Sequence, residues 1–173
     1  KTNLFRTRDG ETWEQIGIID EHYEDFAFSS ETEGVFVNDN LIYRTQDSGK
    51  TWKKVHQCAV KAMIDGLSRQ VDCRLYKVRY ISPTIVYVLG GVYPGTAALV
   101  MKSVDGGVNW ALVSLIENEN GWEGGFFFVD ENTGFLAIKD AKAAYRTVDG
   151  GQTWTGIPAT SMPRHILFAD PEV

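Results

Sequence analysis

The chain has 173 residues, enough for one compact domain with a buried core. Its 17 Lys and Arg against 23 Asp and Glu leave a formal net charge of −6, which argues against nucleic acid or an anionic membrane surface as the main partner. A hydrophobic content of 43% excludes disorder, and no apolar run approaches the ~20 residues that span a bilayer.

Read in chain order, the sequence repeats itself. An apolar strand at 4–7 leads into T-R-D-G-E-T-W (7–13). Two strands about a polar turn follow, A-F-S-S-E-T-E-G-V-F-V (27–37), and then T-Q-D-S-G-K-T-W (45–52). Residues 59–72 alone suit a helix, and a short one is expected there. The strand–turn–strand pattern returns as R-Y-I-S-P-T-I-V-Y-V (79–88), before S-V-D-G-G-V-N-W (103–110). It returns once more as F-F-V-D-E-N-T-G-F-L-A (127–137), before T-V-D-G-G-Q-T-W (147–154), and L-F-A-D-P-E-V (167–173) opens a further copy.

Three of these boxes fit Ser/Thr-x-Asp-x-Gly-x-x-Trp, and the first is one residue short. Their aspartates, Asp9, Asp47, Asp105 and Asp149, are spaced by 38, 58 and 44 residues. Four strands in ~45 residues is the rhythm of a propeller blade. The expected fold is therefore all-β: a β-propeller of four-stranded antiparallel blades with box turns. One segment covers 1–173: a part-blade at 1–19, blades at about 24–57, 75–115 and 124–157, and the start of another at 164–173. About three full blades with flanking strands read as a partial propeller, and a small closed ring is the alternative.

The composition of the box suits a turn. Asp at its head can accept N–H groups two residues on. Gly49, Gly107 and Gly151 stand where a hairpin needs a left-handed residue. Trp52, Trp110 and Trp154 can each bury ~150–250 Å² between sheets. The boxes are thus expected to be structural.

The motif resembles the Asp-box, or BNR, repeat of sialidases, sortilin-type receptors and xyloglucan-cleaving glycosidases. It is most similar to photosystem II stability and assembly-factor-like repeat proteins, because the whole unit F-x-D-x-x-x-G…Arg-Thr-x-Asp-Gly-Gly-x-Thr-Trp recurs. In such propellers the box lies between the third and fourth strands, on the face opposite the usual ligand site. The resemblance implies a binding or assembly scaffold with a protein or glycan partner, periplasmic, secreted or at the cell surface. Its alternative is a fragment of a sialidase-like or other glycoside hydrolase. The net charge of −6 departs from the basic patch associated with plant and cyanobacterial members and points to a bacterial relative with another task.

On the opposite face the ligand-binding candidates are His22, His56, Arg69, Tyr93, Trp122 and Glu123. Trp122 leads them, because glycines near it leave the ring reachable. Cys58 and Cys73 are the only cysteines; they form a disulfide closing a loop of about fifteen residues or remain as two buried thiols. Arg6, Arg44 and Arg146 precede box threonines in successive units, so they are expected on separate blades and not in one carboxylate-binding triad. His22, His56 and His165 show no metal-ligand spacing, and G-G-V-Y-P-G (90–95) precedes no helix that could hold phosphate. No catalytic residue, metal or cofactor is assigned. Self-association to complete a propeller is a further expectation.

Overall fold

A computed structural model describes residues 1–64, 67–92, 97–117, 124–138 and 143–158. Four antiparallel sheets follow one another along the chain. The first pairs β1 (Thr2–Arg6) with β2 (Glu14–Ile19). The second runs β3 (Asp25–Phe28), β4 (Gly34–Asn38), β5 (Leu41–Thr45) and β6 (Lys53–Gln57) in sequence order. The third has five strands: β7 (Ala59–Ile64), β8 (Leu67–Tyr80), β9 (Val86–Val92), β10 (Ala97–Ser103) and β11 (Ala111–Glu117). The fourth holds β12 (Gly124–Phe128), β13 (Gly134–Ile138), β14 (Ala143–Thr147) and β15 (Thr155–Pro158).

The helix expected over 59–72 is absent. Residues Ala59–Ile64 and Leu67–Asp72 pair as an antiparallel hairpin whose register puts Ile64 opposite Leu67. The sequence between them is Asp65-Gly66, a two-residue hairpin signal. Cross-strand pairing there overrides the modest helix preference of Ala59, Lys61, Ala62 and Met63. Beyond Asp72, β8 continues from Cys73 to Tyr80 and pairs instead with β9, so one long strand belongs to both the arm and the sheet.

Three apolar layers hold the stack together. Leu4, Ile19 and Phe36 are buried between the first and second sheets, with Tyr43 and Trp52 against them. Val35, Val37 and Ile42 meet Val78, Val86, Val88 and Met101 between the second and third, with Trp110 alongside. Tyr87, Leu89 and Val100 meet Phe128, Leu136 and Ile138 between the third and fourth, beside Trp154. Strand alternation explains the split: Val86 and Val88 face backward, Tyr87 and Leu89 face forward, and all four are buried.

The first turn of each full unit also has a recurring device. A β-carbon on Gly134 would lie 2.6 Å from the Phe128 ring, and one on Gly34 2.8 Å from Phe28. Each phenylalanine lies over the glycine paired with it, which accounts for the F-x5-G spacing. The third sheet uses Tyr80 opposite Val86 at this place.

Box turns lock onto these first turns. The N–H groups of Ser48, Gly106 and Gly150 donate to the carbonyls of Thr32, Thr84 and Asn132 at 3.0, 2.8 and 2.8 Å. They also abut the preceding sheet. Gly107 has φ +91°, and a β-carbon there would sit 2.8 Å from Val35 Cγ1, whereas Gly10, at φ +78°, has open space around it. Gly107→Ala should therefore cost about 1–3 kcal/mol more than the backbone strain that Gly10→Ala shares. Thermal melts of both variants check this, and equal shifts would remove the contact with Val35 from the explanation.

Candidate functional site

The box carboxylates are saturated by their own turns. Thr45 Oγ1 donates to Asp47 Oδ1 at 2.8 Å and accepts the Gly49 N–H at 2.9 Å. Asp47 then accepts the Thr51 N–H on Oδ1 at 2.9 Å and the Thr51 hydroxyl on Oδ2 at 2.6 Å. Asp105 is held likewise by the Asn109 N–H at 2.9 Å and Nδ2 at 2.7 Å, and Asp149 by the N–H and hydroxyl of Thr153. Bonding two residues on, as the sequence led one to expect, occurs only in the short first box, where Asp9 accepts the Glu11 N–H at 2.9 Å. In the full boxes an extra residue carries the reach to the fourth position.

Sequence reasoning missed the residue before each tryptophan. Thr12, Thr51, Asn109 and Thr153 all turn a side-chain donor onto the box carboxylate. The signal was present, since that position carries a hydrogen-bonding side chain in all four copies. These bonds favour the ionised form. The Thr153 hydroxyl and N–H pull Asp149 down to about 2, and the Asn109 N–H does the same for Asp105. Asp47 and Asp9 are lowered by their threonines in the same way. Such carboxylates are poor bases and have few lone pairs free for a substrate.

Box tryptophans differ with their surroundings. Trp110 and Trp154 donate Nε1–H to the carbonyls of Gly107 and Gly151 at 3.0 and 2.9 Å. The matching carbonyl of Gly49 is taken by the Ile18 N–H at 3.2 Å, and Trp52 Nε1 is buried without an acceptor. Trp13 is 63% exposed. Arg44 donates to Glu33 at 2.8 Å and to the Gly106 carbonyl at 3.0 Å, tying the second sheet to the third. Arg6 pairs with Glu14 and Glu31. Arg6 and Arg44 thus have separate partners and face no common pocket.

At the opposite end, the turn between β4 and β5 is gripped by the base of the β7–β8 arm. Asn40 and Asp39 carbonyls accept the Cys58 and Leu75 N–H groups, both at 2.7 Å. Cys58 and Cys73 form a disulfide with Cα atoms 5.5 Å apart, 1% and 4% exposed. Around it, Arg74 lies 3.7 Å from Asp39 and 3.9 Å from Glu24, and His22 lies 3.5 Å from Glu24. Asp25 accepts from Arg79 at 2.7 Å and from the Val78 N–H at 3.1 Å.

Of the ligand candidates, His22 therefore joins this charged node. Arg69 is exposed on the arm opposite Ala62, and half-buried His56 lies opposite Ile42 on β6, its pKa lowered by burial. No hydrogen bond or ion pair joins these three among the described residues. Tyr93, Trp122 and Glu123 lie outside the described residues.

The family model described as Photosynthesis system II assembly factor YCF48 matches residues 5–162. The chain belongs to the YCF48 family. Among solved structures it is similar to YCF48 bound to D1 peptide, at 20% identity and TM-score 0.57 over 82% of this chain and 44% of that one. YCF48 from Cyanidioschyzon merolae gives 24% identity and TM-score 0.58, covering 83% of this chain and 42% of that one. An ancestral GH74 enzyme shares the fold at TM-score 0.63 and 14% identity, over 88% of this chain and 21% of that enzyme. This chain thus spans less than half of either YCF48 structure, as a partial propeller. No curated protein is significantly similar to it in sequence.

Two outcomes are expected of this YCF48-family chain. Asp105 and Asp149 stay ionised down to about 2, whereas an unfolded aspartate titrates near ~4. Their folded pKa values are depressed, so their contribution is full above pH ~4 and is lost as pH falls toward ~2. The melting temperature should drop through that window, and Asp149→Asn should flatten the drop. Replacing Cys58 and Cys73 together by serine should lower the unfolding free energy in urea by about 3 kcal/mol, the entropy of the loop they close.

Proposed function

We propose that this chain is a non-enzymatic, protein-binding propeller scaffold of the assembly-factor kind, gripping its partner on the face that carries the β7–β8 arm. Membership of the YCF48 family carries this reading, and a relative solved with a bound peptide supports a polypeptide as the partner. The box carboxylates support it as well, since the turns consume their lone pairs. A fragment of a glycoside hydrolase is the lesser reading: its support is a fold shared at 14% identity, which says nothing of chemistry. No cofactor enters the proposal. The Cys58–Cys73 disulfide supports a periplasmic, secreted or cell-surface location.

A peptide-display selection on the immobilised chain, run beside an oligosaccharide panel and aryl glycoside substrates, tests this. Saturable peptide binding without hydrolysis is expected, and Arg74→Glu should weaken it by reversing charge beside Glu24 and Asp39. Turnover of a glycoside, or capture of oligosaccharides alone, would reverse the reading.

A further inference from the structure

We propose that the groove between the second and third sheets, at the box end of the stack, is an anion site that takes a carboxylate carried on an apolar stem. It lies at the opposite end from the charged arm and does not depend on the partner proposed there.

In every sheet the residue after the box tryptophan lies opposite the basic residue that precedes the box. In the first sheet Arg6 faces Glu14, and the two pair at 3.1 Å. In the third Lys102 faces Ala111, and in the fourth Arg146 faces Thr155. The second sheet sets Arg44 against Lys53. Like charges directly opposite one another on paired strands repel, so this pair costs stability. Arg44 donates Nη2–H to Glu33 and Nε–H to the Gly106 carbonyl. Lys53 has no hydrogen bond or ion pair among the described residues. The stack itself does not require that cation, since Ala111 and Thr155 serve at the same place.

Arg44 and Lys53 line a half-open groove of about 500 Å³ together with Gln46, Asp47, Val55 and Val108. Its donors are free and its carboxylate is spent. The Lys53 ammonium and Gln46 carboxamide have no partner among the described residues, whereas the Asp47 oxygens accept from Thr45 and Thr51. Val55 from the second sheet and half-exposed Val108 from the third give two apolar walls. A carboxylate lodged beside Lys53 relieves the repulsion with Arg44, as Glu14 does for Arg6, while its stem lies along the valines. The third sheet does not repeat this donor set. Val104 stands at the place of Gln46, Ala111 at that of Lys53, and Lys102 turns onto the Tyr87 ring, 5.0 Å from its centroid.

The probe is sodium hexanoate, titrated into the whole chain and followed by amide shifts in NMR, with hexanol as the uncharged comparison. Expected are saturable shifts at Gln46, Lys53 and Val108 with hexanoate, and binding of hexanol about tenfold weaker. Lys53→Gln should weaken hexanoate by about tenfold, whereas Lys54→Gln, opposite Tyr43, should leave it unchanged. Lys53→Glu should abolish binding and raise the melting temperature of the free chain, because it copies the Arg6–Glu14 pair. An acetylated Leu-Glu amide separates the sources: tighter binding than hexanoate assigns a glutamate of a partner polypeptide, and weaker binding a free aliphatic acid. Hexanol binding as well as hexanoate, no saturable shift, or hexanoate binding that survives Lys53→Gln overturns the site. A melting temperature that Lys53→Glu fails to raise overturns the repulsion on which it rests. None of these results bears on peptide capture at the arm, so the two readings fail separately.

Discussion

The second and third sheets are apolar on both faces, and a sheet of that kind is stable only when each face is covered. Val86, Tyr87, Val88 and Leu89 show the constraint in four consecutive residues, alternately serving the layer before and the layer after. Each such side chain contributes about 1.5–3 kcal/mol when removed from water, so the layers outweigh any single polar contact. The polar contacts instead set the spacing. Arg44 of the second sheet reaches the Gly106 carbonyl, and the Tyr87 hydroxyl of the third reaches the Gly150 carbonyl at 3.1 Å. Those carbonyls occupy the same box position, so the turn that ends one sheet's next-to-last strand is also the docking point for the sheet before it. This is why the box aspartate is a structural carboxylate: it shapes a turn whose backbone must be rigid on both sides.

The fold was legible because it is repeated. One box could be chance, but several in register, each preceded by an apolar strand, leave few architectures. Within the box, Gly107 and Trp110 could be interpreted from turn chemistry, whereas Asn109 showed only as a recurring hydrogen-bonding position, because its partner depends on how far the Asp105 carboxylate reaches. The β7–β8 arm was misjudged for a related reason. Its residues have tolerable helix propensity, and the fact that decides against a helix is β8 running on past Cys73 to pair with β9. That continuation is a long-range pairing that no local window contains.

Functional residues were less legible. His22, Arg69 and His56 were singled out one by one as polar or aromatic loop groups, with no repeat against which to compare them. The structure puts His22 beside Glu24, but nothing in the sequence pairs Glu24 with Arg74, fifty residues away. What joins them is the Asp39–Asn40 turn held by the backbone of Cys58 and Leu75, a tertiary arrangement fixed by the disulfide.

Repetition therefore separates scaffold from function. A residue recurring in each unit, such as Arg6 and Arg44, answers a need each sheet has, and its chemistry is spent on the neighbouring turn. The informative place is the one where the repeat is broken. That break is the arm, a two-stranded hairpin whose Val60 and Val71 join the layer between the second and third sheets; such hairpins are marginal alone, and here a disulfide anchors the base. The arm is fixed covalently to the stack beside Arg74, Glu24 and Asp39, side chains that recur in no other unit.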